Sequence, residues 1–434
     1  MRIELEGKPY RYITDNTQEV DDQTALLETA QNRRYIDETL RQKAPTVLKP
    51  IDIRSDFGLD RIKIIGITGT NGKTTTAAII YSILLDLGYK VAMQGTRGFF
   101  INDCMVEGKS LTTPLVLQTY THIYQAVVEE CDFFVMEVSS HAIVQERIDG
   151  IDFALKILTN ITQDHLDFHH TLQEYIAVKN SFFADESMKL INRDEEKAEF
   201  NYKNAYSYAV EAGASFKIIA YSLNEGISGA IQFFSEVVPF YSDLHGFFNL
   251  HNLTASIAAV KLVTQRPLEE ICAQTKNFGG VSGRMEVVSE KPLVIVDFAH
   301  TPDGMAKVMD ALRETDILVV FGAGGDRDAT KRPIMGKIAQ TMAKKVYVTS
   351  DNPRSEDPDT IIEQIVSGMQ NTKGVYTNPN RREAIRQALI DQQEGEVVLI
   401  LGKGDEAYQE IYDKKLPFDD RSVARELLAQ LSNA

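Results

Sequence analysis

The chain has 434 residues, more than one hydrophobic core usually organises, so two or three domains are expected. Its 62 acidic and 46 basic side chains give a formal charge of −16, which argues against nucleic acid or an anionic membrane as a partner. Three scattered cysteines exclude a disulfide framework. Together with a charged N-terminus and the lack of a long apolar run, they favour a cytoplasmic protein.

Short apolar runs alternate with helical patterns from residue 62 onward. A helical pattern over 74–87 follows the first run. Buried strands that alternate with helices are typical of parallel sheets covered on both faces. The runs predicted to be strands are 62–67, 133–138, 154–158, 293–296, 317–321, 345–349 and 397–401.

We therefore predict an α/β protein of three domains. A small N-terminal α/β domain is placed at 1–46, before a proline-containing stretch, and a central parallel-sheet domain at 47–281. A C-terminal Rossmann-like domain is placed at 282–434, because glycine density peaks at 279–283 and a second strand–helix alternation follows.

A glycine-rich loop at 66–75 joins the first predicted strand to its helix. Glycines let backbone N–H groups approach phosphate oxygens, and a helix N-terminus adds partial positive charge. Lys73 can reach the β- and γ-phosphates, and Thr74 can ligate Mg²⁺. This loop predicts an ATP site, with an ordinary glycine-rich turn as the alternative. Ile67 stands where the simple P-loop pattern has its first glycine.

Six further segments match sequence motifs of one protein family, in the same order along the chain. Together with the loop, they resemble the ATP-dependent Mur ligases and their folylpolyglutamate synthetase relatives over about residues 62–425. Within that family the resemblance is to the ligases that add the third residue of the peptidoglycan stem. The segment 14–17 is similar to the family's nucleotide-sugar-binding segment, so the shortened unit 1–46 is implied to bind the UDP-sugar. The six segments are 112–114, 136–141, 160–167, 283–286, 296–303 and 324–328.

The resemblance implies an amide ligase in cytoplasmic peptidoglycan precursor synthesis. Enzymes of this family use ATP to convert a substrate carboxylate into an acyl phosphate, which an amine then attacks. The implied substrates are ATP, UDP-N-acetylmuramoyl-L-alanyl-D-glutamate and meso-diaminopimelate, with Mg²⁺ as the cofactor. A monomer is expected.

Matched positions imply a catalytic set of Lys73, Glu137, His165 and Lys179. The implied metal ligands are Thr74, Glu137, His165 and Lys179, the last as a carbamate formed with CO₂. A carbamate turns a cation into an anionic oxygen ligand, which suits a hard ion such as Mg²⁺. Read without the resemblance, Glu137 would be a solvated strand end and Lys179 a surface helix lysine.

Three sets of binding residues are also implied by the resemblance. The ATP set is Gly69, Thr70, Asn71, Gly72, Lys73, Thr74, Thr75, Asn252, Arg284 and Asp297. The muramoyl-dipeptide set is Thr112, Thr113, Ser139, Gln145 and Arg147. The diaminopimelate set is Arg327, Asp351, Asn352, Arg354, Gly402 and Glu406.

The segment around Arg354 bears on which amino acid is added. Diaminopimelate carries a carboxylate and an ammonium at its far end, whereas lysine carries only the ammonium. A guanidinium binds a carboxylate in bidentate fashion and repels an amine, so Arg354 favours diaminopimelate and Glu406 would pair with the ammonium. Asp405 stands where the family usually has histidine.

Three alternatives remain open on the sequence. The first two are a ligase of this family that adds L-lysine and a folate-type polyglutamate ligase. Arg354 argues against lysine, and the polar pairs Gln145/Arg147 and Asn352/Arg354 argue against folate. The third is a P-loop ATPase or kinase that acts as a switch or motor, which would leave the C-terminal motifs unexplained.

Overall fold

The computed structural model describes residues 2–5, 7–43, 45–109, 111–412 and 414–432. Their strands form three sheets with helices packed against them, and a separate two-stranded hairpin. No helix in these ranges is long and apolar enough to span a bilayer.

The first sheet has four strands in the order β1-β2-β3-β4, of which only the β1–β2 pair is antiparallel. The predicted border at residue 46 falls between α1 and β4, so the last strand of this sheet lies just beyond it. The strands are β1 Arg2–Glu4, β2 Tyr12–Thr14, β3 Thr24–Leu27 and β4 Val47–Leu48. The helices are α1 Ile36–Lys43 and α2 Pro50–Ile53, with 3₁₀ turns at Thr17–Glu19 and Arg33–Tyr35.

The second sheet has eleven strands, in the order β15-β14-β13-β12-β11-β10-β5-β9-β6-β7-β8. Its centre, from β13 to β6, is parallel, and antiparallel strands extend both edges. The strands are β5 Lys63–Thr68, β6 Val91–Gly95, β7 Gly98–Ile101, β8 Cys104–Glu107, β9 Phe133–Glu137, β10 Phe153–Leu158, β11 Lys189–Asn192, β12 Ala205–Ala209, β13 Phe216–Ser222, β14 Ile227–Phe233 and β15 Glu236–Ser242.

Two hydrophobic cores cover the faces of this sheet, one beneath α3 and α8 and one beneath α4 and α7. Its parallel strands therefore carry apolar side chains on both faces, as the continuous apolar runs predict. The helices are α3 Lys73–Asp86, α4 Val116–Val128, α5 Ser140–Val144, α6 Leu166–His169, α7 Leu172–Ser181, α8 Phe247–Thr264 and α9 Leu268–Gln274, with a 3₁₀ turn at Thr275–Asn277.

The third sheet has six strands in the order β16-β17-β21-β18-β19-β20, of which only β16 is antiparallel. The strands are β16 Glu286–Glu290, β17 Leu293–Asp297, β18 Asp316–Phe321, β19 Lys345–Val348, β20 Val375–Thr377 and β21 Glu396–Leu401, and the hairpin is β22 Tyr408–Ile411 with β23 Lys414–Pro417. The helices are α10 Pro302–Asp310, α11 Lys331–Met342, α12 Pro358–Val366, α13 Arg381–Asp391 and α14 Asp420–Ser432.

All seven apolar runs predicted as strands are strands, with ends that differ by one residue or less, and the helix predicted over 74–87 is α3. The predicted α/β architecture with parallel sheets is confirmed. The carboxyl ends of parallel strands meet at one edge of each sheet, which is where α/β proteins place ligands. The loops after β5, β9 and β10 share such an edge, as do the loops after β17, β19 and β21.

Candidate active site

The phosphate loop is pressed between its own sheet and α8. A Cβ atom at Gly69 would lie 1.8 Å from Thr159 Oγ1, and one at Gly72 would lie 2.5 Å from Asn252 Oδ1. Both glycines have positive φ, +153° and +85°, which side chains rarely tolerate. The amide of Asn71 donates to Asn160 Oδ1 at 3.0 Å. The backbone thus comes close to its surroundings because the two glycines carry no side chain.

Lys73 is the first residue of α3, and its ammonium folds back on the loop. Nζ donates to the carbonyl of Gly69 at 2.7 Å and to that of Thr70 at 2.9 Å. Burial lowers the pKa of Lys73, whereas the charges of Glu137 and Asp164 oppose that shift. A cation is therefore held at the mouth of a helix N-terminus, where an anionic phosphate is stabilised.

Glu137, the last residue of β9, is only 2% exposed, so its interpretation as a solvated strand end is wrong. Thr74 Oγ1 donates to Glu137 Oε2 at 3.0 Å, and the amide of Thr96 donates to Oε1 at 2.9 Å. Thr96 Oγ1 is also 3.0 Å from Thr112 Oγ1. Thr96, which the sequence analysis missed, thus joins the carboxylate to the predicted dipeptide set. Its position just after β6, which neighbours β9, is the signal that could have found it.

Lys179 lies on α7 and is 1% exposed, so the alternative of a surface lysine is wrong. Nζ lies 4.8 Å from the centre of the Tyr175 ring, and Lys179 forms no salt bridge with any residue in the described ranges. Burial holds the pKa of Lys179 well below its ordinary value, and the charge of Lys73 lowers it further. The lowered pKa favours the neutral amine, which is the form that reacts with CO₂.

His165 lies in the loop between β10 and α6 with a positive φ of 54°. Its Nε2 is 3.3 Å from Asp164 Oδ2, and His300 Nε2 is 4.0 Å from the same oxygen. Burial lowers the pKa of His165, which keeps the imidazole neutral and able to ligate a metal. Among the described residues, no three His, Cys, Asp or Glu side chains form a ready metal cluster. Of the four predicted metal ligands, only Glu137 and His165 belong to these four residue types.

A cavity of about 710 Å³ opens above the phosphate loop. Nine of the ten residues predicted to bind ATP line it, all except Gly69, and so do Thr112, Glu137 and His165. The guanidinium of Arg284 lies 4.1 Å from the centre of the Phe298 ring. Burial lowers the pKa of Arg284 and raises that of Asp297, and each charge partly offsets the shift of the other. The structure thus brings nine of the ten predicted nucleotide residues and three of the four predicted metal ligands around one space, whereas Lys179 does not line it.

Residues of the predicted dipeptide set cluster beside the end of β9. Thr113 Oγ1 donates to the Glu137 carbonyl at 2.9 Å, and the Ser139 amide donates to Thr113 Oγ1 at 3.0 Å. Arg147 donates to the Thr113 carbonyl at 2.7 Å and to Gln145 Oε1 at 2.6 Å. These bonds connect Thr113, Ser139, Gln145 and Arg147, so these residues of the predicted dipeptide set lie together in the fold.

The N-terminal unit contacts the segment that carries Gln145. Arg33 forms a 2.7 Å salt bridge with Glu146, and Gln31 Nε2 donates to the Gln145 carbonyl at 3.4 Å. A second cavity of about 370 Å³ lies at this junction. Residues that line it are Glu28, Arg33, Lys49, Pro50, Glu146 and Asp149.

The predicted diaminopimelate residues gather at the carboxyl edge of the third sheet. Asn352 Nδ2 donates to Glu406 Oε2 at 3.0 Å, and a Cβ at Gly402 would lie 2.4 Å from Asp351 Oδ2. Arg354 donates to the carbonyl of Gly325 at 2.7 Å, in the loop that carries Arg327.

The sequence analysis missed two charged residues of this cluster, Glu410 and Lys403. Glu410 Oε2 accepts from Arg354 Nε at 3.0 Å, and Lys403 Nζ donates to Glu406 Oε2 at 2.9 Å. Glu410 lies in β22, whose pairing with the 354 segment could not be read from the chain order.

Comparison with known proteins decides the family. Residues 67–260 match the Mur ligase middle domain, and residues 283–404 match the Mur ligase glutamate ligase domain. Over 431 residues the chain is 51% identical to the UDP-N-acetylmuramoyl-L-alanyl-D-glutamate–2,6-diaminopimelate ligase of Wolinella succinogenes, with 99% of each chain covered. The chain belongs to the Mur ligase family. The resemblance drawn from the loop and the six segments is confirmed.

Other Mur ligases and their relatives agree with this assignment. A ligase of the same description from Helicobacter hepaticus is 51% identical over 94% of this chain and 90% of the relative. A solved structure of a UDP-N-acetylmuramoyl-L-alanyl-D-glutamate–2,6-diaminopimelate ligase has a TM-score of 0.67 and 27% identity, covering 100% of this chain and 98% of its own. Mycobacterium tuberculosis folylpolyglutamate synthase, at 18% identity, has a TM-score of 0.68 over 81% of this chain and 91% of its own and shares the fold.

Proposed function

We propose that this Mur ligase joins meso-diaminopimelate to the D-glutamate of UDP-N-acetylmuramoyl-L-alanyl-D-glutamate at the expense of ATP, in cytoplasmic peptidoglycan precursor synthesis. One observation carries the choice of amino acid. Arg354, suited to a carboxylate, and Glu406, suited to an ammonium, lie in one cluster at the edge of the third sheet. The relatives at 51% identity, named for the same reaction, support it.

The two steps follow from the groups around the larger cavity. Lys73, the loop amides and Arg284 bind the triphosphate, and Asn252 and Asp297 bind the rest of the nucleotide. A carboxylate oxygen of the substrate attacks the γ-phosphorus, and ADP leaves. The amine of the amino acid then attacks the acyl carbon, phosphate leaves, and the new amide nitrogen loses a proton. Positioning and charge compensation dominate, because both reactants of the first step are anionic.

Mg²⁺ fits the oxygen donors at this site, where Thr74, Glu137, His165 and Lys179, the last as a carbamate, would hold it. The Thr74 hydroxyl and the Glu137 carboxylate are 3.0 Å apart and supply the oxygen donors that a hard cation prefers. Such an ion would offset the repulsion between the triphosphate and the substrate carboxylate. Lys179 fits this role only as a carbamate, since its ammonium would repel the ion.

The remaining sets of residues place the other two substrates. Thr112, Thr113, Ser139, Gln145 and Arg147 hold the muramoyl-dipeptide, with its carboxylate toward Glu137. The N-terminal unit, 1–46, then takes the UDP end, because it contacts Gln145 and Glu146 directly. Central residues 47–281 carry the phosphate loop, and the C-terminal part, 282–434, adds Arg284 and Asp297 to the nucleotide site and presents the amino acid.

The diaminopimelate set divides by charge. Arg327 and Arg354 hold the distal carboxylate and Glu406 the distal ammonium. Asp351, Asn352 and Gly402 complete the binding site for the amino acid. Bonds to Glu410 and to the Gly325 carbonyl hold the guanidinium of Arg354 in place. A side chain held in this way loses less freedom when it binds.

Phosphate release tests the proposal. The protein is incubated with ATP, Mg²⁺ and UDP-N-acetylmuramoyl-L-alanyl-D-glutamate, and either meso-diaminopimelate or L-lysine is added. Release that depends on diaminopimelate is expected, whereas equal or greater release with lysine rejects the specificity. Arg354→Ala should lower kcat/KM for diaminopimelate by ~10²-fold or more, since a substrate carboxylate loses its partner. Arg313→Ala, which removes an exposed arginine of the same part of the chain, is the matched control.

Lys179 has a test of its own. Lys179→Ala should be nearly inactive and should recover part of its activity when a small carboxylate is added, because the added acid replaces the carbamate oxygens. Full activity of the alanine variant would show that the lysine has no such role. Lys217→Ala removes a lysine from a different part of the same sheet and should leave both activity and its response to carboxylates unchanged.

A further inference from the structure

Lys403 lies in the loop after β21 and is completely buried. Its Nζ is 2.9 Å from Glu406 Oε2 and 3.1 Å from Asn352 Oδ1, and it lies 5.7 Å from the centre of the Tyr408 ring. A buried ammonium is costly unless it is paired and hydrogen-bonded. The carboxylate of Glu406 offsets this cost, and it is the group proposed to bind the ammonium of the substrate.

The two donors near Glu406 converge on the same oxygen. Lys403 Nζ and Asn352 Nδ2 approach Oε2 at 2.9 and 3.0 Å. Within the described part of the chain, Oε1 has no hydrogen-bond donor, and the Glu406 side chain is 22% exposed. Lys403 therefore fixes the orientation of the carboxylate while one oxygen stays available to a ligand. Charge-assisted bonds of this length hold a side chain firmly.

Lys403 also places a positive charge beside Glu406. It is the cation that contacts this carboxylate, whereas Arg354 is bonded to Glu410. The distal end of diaminopimelate is a zwitterion with no net charge, whereas the distal end of lysine is a cation. A cation beside Glu406 weakens the attraction of that carboxylate for the lysine cation.

We propose that Lys403 is a positioning residue that determines the choice between a zwitterionic and a cationic amino acid. It orients Glu406 and offsets the negative charge that would otherwise attract an amino acid with an ammonium alone. This inference rests on the proposed function, because it concerns how the same site discriminates. A lysine that merely fills the core would affect stability but not the ratio of the two substrates.

Two variants with opposite charge effects test the role of Lys403. Lys403→Met keeps the volume and removes the positive charge beside Glu406. Its ratio of kcat/KM for meso-diaminopimelate over L-lysine should fall by about tenfold or more. Glu406→Gln, which keeps the shape of the side chain, removes the negative charge beside Lys403 and should raise that ratio, although it lowers both rates. Lys415→Met, on the exposed hairpin 4.4 Å from the same Tyr408 ring, is the matched control and should leave the ratio unchanged.

The measurements separate this inference from the proposed function. If the wild-type protein does not prefer diaminopimelate, the proposed function fails. If the wild-type protein prefers it but both charge variants keep the wild-type ratio, only the role of Lys403 is overturned. KM for ATP, measured in parallel, should stay near the wild-type value in Lys403→Met, and a tenfold rise without a change in the ratio would show a structural role only. If Lys403→Met does not fold, Lys403→Gln, which removes the charge but keeps polar atoms, takes its place, and an unchanged ratio in that variant overturns the role of Lys403.

Discussion

The ammonium of Lys109 lies 2.9 Å from Asp405 Oδ1 and donates to the Asp405 carbonyl at 2.7 Å. Lys109 precedes Thr112 and Thr113, which are proposed to bind the dipeptide, and Asp405 immediately precedes Glu406. The pair thus links the central part of the chain to the loop proposed to hold diaminopimelate. Aspartate at 405, in place of the family's usual histidine, gives this lysine an anionic partner that a neutral imidazole would not provide.

Removal of this link should weaken amino-acid binding. We expect Lys109→Met to raise KM for diaminopimelate two- to fivefold, about the size of effect for a partly exposed ion pair. High salt screens such pairs, so the wild-type KM should rise toward that of the variant as salt is added. Lys90→Met removes an ion pair, with Glu130, that lies within the central part alone. The idea fails if the two variants have the same KM and the same salt dependence.

A second pair, Arg332 and Glu356, holds the two segments that carry the predicted diaminopimelate residues Arg327 and Arg354. Arg332, on α11, is 1% exposed and binds both oxygens of Glu356 at 2.7 and 2.8 Å. Arg332 also donates to the Gly324 carbonyl at 3.0 Å, and Glu356 accepts from the Asp326 amide at 2.6 Å. This pair therefore fixes the loop that carries Arg327 against the segment that follows Arg354.

Glu356→Gln should disturb that arrangement without removing the hydrogen-bonding shape. We expect KM for diaminopimelate to rise roughly tenfold, because Arg332 keeps a neutral partner in place of an anion and both loops loosen. KM for ATP should stay within twofold, since the nucleotide cavity lies elsewhere. Glu363→Gln on the exposed side of α12 provides the control. A parallel rise of both KM values would instead indicate general damage.

The sequence could predict what depends on local pattern. Strands such as Lys63–Thr68 are continuous apolar runs, and the bonds of Lys73 to the Gly69 and Thr70 carbonyls lie within a loop of ten residues. The family resemblance then extended the prediction to distant positions such as Glu137 and Arg354. These residues lie at strand ends, which parallel topology brings to a common edge.

Other features depend on tertiary contacts that no local pattern encodes. Thr96 reaches Glu137 across 41 positions, and Glu410 reaches Arg354 across 56. The helix that carries Lys179 has only weak amphipathic character in its sequence, so nothing local shows that this lysine faces the core. Burial of a charge is decided by the elements packed around it, and these become visible only in the fold.

The burial of Lys179 predicts a conflict between stability and activity. Burial lowers the pKa of Lys179, so below pH 10.5 the unfolded chain binds a proton there more readily than the folded chain does. The lysine thus destabilises the fold increasingly as pH falls from 10.5 toward its lowered pKa. In CO₂-free buffer, Lys179→Met should melt at a higher temperature than the wild type, with a gain that shrinks toward pH 10.5. Ligase activity should be lost in the same variant.

That gain is expected near neutral pH, because the apolar side chain replaces an amine that the unfolded chain protonates more readily than the folded chain does. Thermal unfolding at pH 7.5 and pH 10 measures it. Lys217→Met, a change on another strand of the same sheet, should show no comparable rise. A variant that is less stable than the wild type at both pH values would contradict the expectation.

His122, which is not among the proposed catalytic residues, makes stability depend on pH. It lies on α4, is 1% exposed, and stacks on Phe99 with ring centres 4.2 Å apart. Nδ1 is 2.7 Å from Gln94 Oε1, and Nε2 is 3.1 Å from Glu107 Oε2. Burial lowers the pKa of His122 below its usual 6.5, although Glu107 opposes the shift. The folded chain therefore keeps this ring neutral at pH values where the unfolded chain protonates it.

The sign of the pH effect follows from that difference. As pH falls through 6.5, the unfolded state takes up a proton at His122 that the folded state does not, so acid lowers the free energy of unfolding. His122→Gln should be less stable at pH 7.5, because it loses the stacked ring, but its melting temperature should fall less between pH 7.5 and pH 5 than that of the wild type. His245→Gln, at an exposed position, should keep the wild-type slope. Equal slopes in wild type and His122→Gln would show that this histidine titrates alike in both states.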